Sequence, residues 1–81
     1  MASESVERLN RCFVAVFPGI GQNEIETAST DNTQEWDSIA TVMLFSLISQ
    51  EFGIKILPQQ MFELKSYSAI HAFLTEQGKM I

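Results

Sequence analysis

Asp37-Ser38 puts a serine hydroxyl where a polar stretch gives way to an apolar helix, with a carboxylate directly before it. A serine hydroxyl in that position has two chemical uses. As a nucleophile it needs a base to take its proton and a third group to orient the base. The chain holds one histidine, His71, with no partner in its own pattern, and a lone serine with one unpaired histidine makes no triad. As an acceptor, the hydroxyl needs only to be reachable by a second enzyme that brings the group to be transferred. These residues favour the second use, and no catalytic residue is expected. A plain first-turn serine is the alternative, because Ser and Asp are both common at helix starts.

The remaining candidates carry less chemistry. Cys12 lies at the edge of an apolar stripe, with no electropositive setting to activate a thiol, and reads as a buried, inert cysteine. As the one cysteine of the chain it forms no intramolecular disulfide, which fits a reducing cytoplasm. Glu24, Glu26, Asp31 and Glu35 lack the spacing of a calcium loop, so they read as a solvated loop and no metal site is expected.

The elements that must position Ser38 follow from periodicity. Val6, Leu9, Phe13, Val16 and Phe17 recur at helical spacing and predict a first helix over about residues 5–17, with Glu4 and Glu7 in its first turn and Pro18-Gly19 as its stop. Residues 18–36 are rich in Asn, Thr, Gln and Ser and form a long loop, pinned by Ile20, Ile25 and Trp36. A second helix is expected from Ser38 to about Phe52, capped by Asp37 and ended by Gly53. Ile54-Lys55-Ile56 alternates too briefly to make a sheet. Pro58 opens a short third helix through Met61-Phe62, and a last helix covers about residues 66–77, with Tyr67, Ile70, Phe73 and Leu74 inward and Gly78 at its end. The fold class is all-α, a small four-helix bundle with a long first loop and a short third helix.

The second helix carries more apolar surface than docking requires. Thr41, Leu44, Phe45, Ile48 and Phe52 share one face on a wheel of 100° per residue. Ile39, Met43 and Leu47 form a second stripe. Either Met43 and Leu47 pack under the long loop or the third helix, or Ile39 and Met43 stay exposed beside Ser38 and, with Trp36 and Leu47, meet a partner. Leu44, Phe45, Ile48, Met61, Phe62 and Ile70 are candidates to bound an apolar cleft that accepts a chain.

Composition narrows the partners. With 81 residues and a net charge of −5 the chain fits one domain over its whole length, and Arg8, Arg11, Lys55, Lys65 and Lys79 are scattered instead of forming the basic patch of a nucleic-acid binder. Met1-Ala2-Ser3-Glu4 shows no leader pattern, and no apolar run approaches the roughly 20 residues needed to span a bilayer. A free-standing monomer is expected.

Asp37-Ser38-Ile39, with the helix running on to Glu51-Phe52-Gly53-Ile54, resembles the phosphopantetheine-attachment region of acyl carrier proteins, whose usual motif reads Asp-Ser-Leu. Trp36 ahead of the motif is common in free-standing and polyketide-type carriers. The resemblance covers nearly the whole chain, from first helix and long loop to the Pro58-led and last helices. It implies a bundle of the acyl-carrier type and 4′-phosphopantetheine esterified to Ser38 by a phosphopantetheinyl transferase that uses coenzyme A and Mg²⁺. It implies that Asp37 caps the helix and helps hold the Mg²⁺ in that complex. It further implies partners that load and transfer acyl groups as thioesters, the carrier itself catalysing nothing. Two departures matter. Ile39 replaces Leu, and the second helix has acids only at its ends, Asp37 and Glu51, which points away from routine fatty-acid synthesis. The expectation is a carrier of a fatty-acid, polyketide or specialised lipid pathway. The alternatives are an aminoacyl, D-alanyl or peptidyl carrier, or an unmodified helical interaction module.

Overall fold

Leu9 and Phe13, one turn apart on the first helix, are completely buried in one core with Leu44, Phe45 and Ile48 of the longest helix and Ile70 and Leu74 of the last. The computed structural model describes residues 4–80 and holds five helices: α1 (Glu4–Val16), α2 (Gln22–Ile25), α3 (Ser38–Phe52), α4 (Pro58–Glu63) and α5 (Tyr67–Glu76). Helix α3 packs against both α1 and α4. The Cα atoms span 31 × 30 × 17 Å, so the thin dimension admits two layers of helix. No helix is long and apolar enough to cross a membrane among the described residues. The leader-free reading of the N-terminus falls on Met1, Ala2 and Ser3, outside the described residues.

The helix ends follow the local chemistry. Gly53 takes the left-handed conformation, φ 64° and ψ 37°, and its N–H returns to the Ser49 carbonyl, closing α3 as only a residue without Cβ does cheaply. Pro58 begins α4, where its missing N–H costs nothing. Ser66 stands before α5 as its cap, accepting from the Ala69 N–H at 3.1 Å, instead of being its first residue. At the C-terminal end of α3 that Gly53 closes, Arg8 reaches across from α1. Its Nε donates to Glu51 Oε1 at 2.8 Å, its Nη2 donates to the Glu51 carbonyl, and its guanidinium lies 5.0 Å from the Phe52 ring centroid. A cation there complements the negative end of the helix dipole.

The expectation of four helices needs one correction. The long segment between α1 and α3 contains α2, a single turn that buries Ile25. The segment holds itself in shape. The Asn32 side chain accepts from the Ser29 N–H at 2.9 Å and the Thr33 hydroxyl at 2.9 Å, and donates to the Thr27 carbonyl at 2.8 Å. It is also strapped to the start of α5. Thr30 N–H donates to the Lys65 carbonyl and Tyr67 N–H to the Ala28 carbonyl, both at 2.9 Å, around an isolated antiparallel bridge between Ser29 and Ser66. Buried backbone groups of an irregular segment must find partners, and these are the partners. No strand forms among the described residues, and Ile54-Lys55-Ile56 is a linker with Ile56 buried.

Cys12 is buried and free. Burial first, then the nearby Glu51 carboxylate, pushes its thiol from 9.0 up to about 11, against the weaker opposing pull of Arg11 and Arg8. Burial and Glu26 raise the Tyr67 hydroxyl in the same direction. Both groups hold their protons more tightly folded than unfolded. The Cys12 contribution is therefore complete below pH 9 and is lost as the pH climbs towards about 11, while that of Tyr67 begins to fade only above 10. We expect the midpoint of urea unfolding to fall across that window. We also expect a thiol reagent at about pH 8 to label Cys12 only once denaturant is added. Rapid labelling of the native protein would contradict this placement.

Candidate functional site

Trp36 is the anchor of the segment that delivers Ser38. Its ring stacks edge-on against Phe13 at 5.6 Å between centroids, with an interplanar angle of 83°, and packs against Phe17 at 5.7 Å. Phe13 also meets Tyr67 at 5.3 Å, so one ring ties α1, the long segment and α5 together. Trp36 is only 4% exposed. Its expected place on a partner-facing surface needs correcting: the indole belongs to the core, with only an edge on the groove beside Ser38.

From that anchor a relay of hydrogen bonds sets the first turn of α3. The Trp36 indole N–H donates to the Thr41 hydroxyl at 3.1 Å, and the Thr41 hydroxyl donates to the Asp37 carbonyl at 2.8 Å. The Thr41 N–H donates to the same carbonyl at 2.9 Å. Asp37 has extended backbone, φ −99° and ψ −171°, and its Oδ1 accepts from the Ala40 N–H at 2.9 Å. Asp37 thus does the capping that a serine often does. Ser38, next along, is exposed, and its hydroxyl makes no hydrogen bond among the described residues. The N–H groups of Ser38 and Ile39 likewise have no acceptor there, as expected for a helix start.

Ser38 opens on a shallow groove of about 360 Å³, lined by Asp37, Thr30, Trp36, Thr41, Met61, Phe62, Leu64 and Lys65. The lining includes neither a histidine nor a cysteine. His71 lies in a separate cleft with Val6, Glu26, Tyr67 and Ser68. Glu24 and Glu35 share a third cleft of about 500 Å³ beside Phe17 and Pro18, while Glu26 lines the His71 cleft. No group of three or more His, Cys, Asp or Glu gathers as a metal site among the described residues.

The two apolar stripes of α3 resolve differently. Ile39 is 72% exposed and Met43 51% exposed, while Leu47 is partly buried and packs on the core. Packing beneath a neighbour thus describes Leu47, and exposure beside Ser38 describes Ile39 and Met43. Val42, three residues after Ile39 and so its neighbour on the helix surface, is exposed as well and extends the patch. The proposed apolar cleft also divides. Leu44, Phe45, Ile48 and Ile70 are fully buried in the packed core, and none of them lines any of the three clefts. Met61 and Phe62, the latter 48% exposed, line the groove beside Ser38 instead. Six residues expected to bound one cleft are therefore four core residues and two groove residues.

Thr30, Leu64 and Lys65 were invisible to sequence reasoning as groove residues. Only the backbone pairing of Thr30 with Lys65 brings the far ends of two connections together, and that pairing leaves no trace in side-chain type.

We expect Asp37→Ala to cost about 1 kcal/mol through loss of the cap. Thr41→Val strands the Trp36 indole N–H inside the core and is expected to cost about 1–3 kcal/mol. Ser38→Ala should change stability by less than about 0.5 kcal/mol. Urea denaturation of the three variants checks the set, and a Ser38→Ala variant as unstable as Asp37→Ala would give the hydroxyl a structural task. Comparison of the chain with protein-family models, with curated proteins and with solved structures returned no match.

Proposed function

We propose that the chain is a carrier protein of the acyl-carrier type, modified on Ser38 with 4′-phosphopantetheine. It would pass acyl groups between the enzymes of a fatty-acid, polyketide or specialised lipid pathway. The observation that carries this reading is the division of labour at the start of α3: Asp37 caps the helix and leaves the Ser38 hydroxyl exposed and unpartnered. The arrangement of α1, α3, α4 and α5, with α2 inside the long first connection, is compatible with a bundle of that type.

The residues present fit the group. An ester oxygen on Ser38 would carry the phosphodiester at a helix N-terminus, where the unpaired N–H groups of Ser38 and Ile39 and the helix dipole favour an anion. The bound group would supply a terminal thiol that holds acyl chains as thioesters. This chain's own residues do the positioning. The Trp36–Thr41–Asp37 relay fixes the attachment point against the core, Asp37 holds the first turn open, and Ile39, Val42 and Met43 offer an apolar face to the partner. The one acid further along α3, Glu51, is engaged by Arg8, so docking through this face would rest on apolar contact more than on charge. The acyl-loading enzymes and the phosphopantetheinyl transferase are the partners this reading requires, and the carrier itself performs no catalysis.

A second reading, an unmodified helical interaction module, draws on the same patch. Purified protein incubated with coenzyme A, Mg²⁺ and a broad-specificity phosphopantetheinyl transferase separates the two. We expect intact-protein mass spectrometry to record the gain of one phosphopantetheine, and no gain for Ser38→Ala. A folded wild-type chain that several transferases leave unmodified would favour the module.

A further inference from the structure

Lys65 is the one basic residue in the groove that holds Ser38. It comes from the turn between α4 and α5, and its backbone is fixed there by the bond that its carbonyl accepts from Thr30. Its ammonium group is in no ion pair among the described residues. Asp37 lines the same groove, and its carboxylate is needed for the cap and repels any second anion placed on Ser38. The rest of the lining is mixed: the side chains of Met61, Phe62 and Leu64 are apolar, and Thr30 brings a hydroxyl.

We propose that Lys65 is the positioning residue that offsets Asp37 and holds the phosphodiester end of the arm on Ser38 in this groove. The inference rests on the carrier reading above and adds to it a residue and a place for the arm. The chemistry of the two sides corresponds. Phosphopantetheine begins with an anionic phosphodiester, continues with a geminal dimethyl group and then carries a hydroxyl and two amides. The groove's lining includes a cation, apolar side chains and a threonine hydroxyl, the same three kinds of partner. An exposed ion pair of this kind is weak and screened by salt, so the arm is expected to exchange between groove and solvent instead of being locked.

The test uses the full chain loaded with ¹³C-labelled pantetheine from coenzyme A, with intact mass reporting the loading of each sample. In the wild type we expect nuclear Overhauser contacts from the geminal methyls to Phe62 and Met61. We expect the docked fraction relative to the free one to fall about two- to fivefold in Lys65→Gln, and further in Lys65→Glu. Raising the salt on the wild-type protein should produce the same loss without any substitution. A loaded wild type whose methyls show no contact with Phe62 or Met61 overturns the groove assignment and leaves the carrier reading standing. Contacts that neither salt nor the Lys65 variants weaken overturn the role of Lys65. A folded wild type that acquires no phosphopantetheine overturns the carrier reading and this inference with it.

Discussion

The hydrogen bond from the Trp36 indole to the Thr41 hydroxyl joins the core to the entrance of α3, and the geometry around Ser38 depends on it. Trp36 is the last buried residue before the helix, gripped by Phe13 and Phe17. Thr41 lies one turn into the helix and passes the constraint back to the Asp37 carbonyl. The chain between them has no freedom to shift the helix start by a residue. The exposed hydroxyl therefore stands on a capped helix end that is hydrogen-bonded to the protein's own interior.

Around that point the protein divides its charged and apolar groups with some economy. The acid and the base that sequence leaves on facing helices, Glu51 and Arg8, meet at the C-terminal end of α3, far from Ser38 along the helix. The N-terminal end keeps one carboxylate, spent on the cap, and an apolar patch of Ile39, Val42 and Met43. A face of that composition is costly to leave in water. Its place next to an unpartnered hydroxyl is the observation on which the proposed attachment site and docking surface both draw.

Much of this was legible in the sequence, for physical reasons that can be named. Asp37, Gly53, Pro58 and Ser66 each act through a local property, a side-chain acceptor, a missing Cβ or a missing N–H, and such properties travel with the residue type. The bounds of α3 and the start of α4 follow directly from them. The loop was harder. Its single turn, α2, is too short to show a period, and its straps to α5 are made by backbone atoms that every residue possesses. Trp36 was misplaced because large aromatic rings serve cores and interfaces alike, and only the position of Phe13 and Phe17 decides between them. The six residues expected to bound an apolar cleft divide between core and groove for a related reason. Apolar type predicts that Leu44, Phe45, Ile48 and Ile70 are turned inward, but says nothing about whether any space is left between them.

The thinness of the molecule bears on that last point. A backbone whose Cα atoms span only 17 Å in its thin direction holds a core one layer of side chains deep. Apolar surface in such a molecule is either part of that single layer or on the outside, as in the strip beside Ser38. Among the helices α4 alone has no buried residue of its own. It is the helix that gives up least buried surface by moving, so its contacts with α3 are the cheapest in the bundle to open.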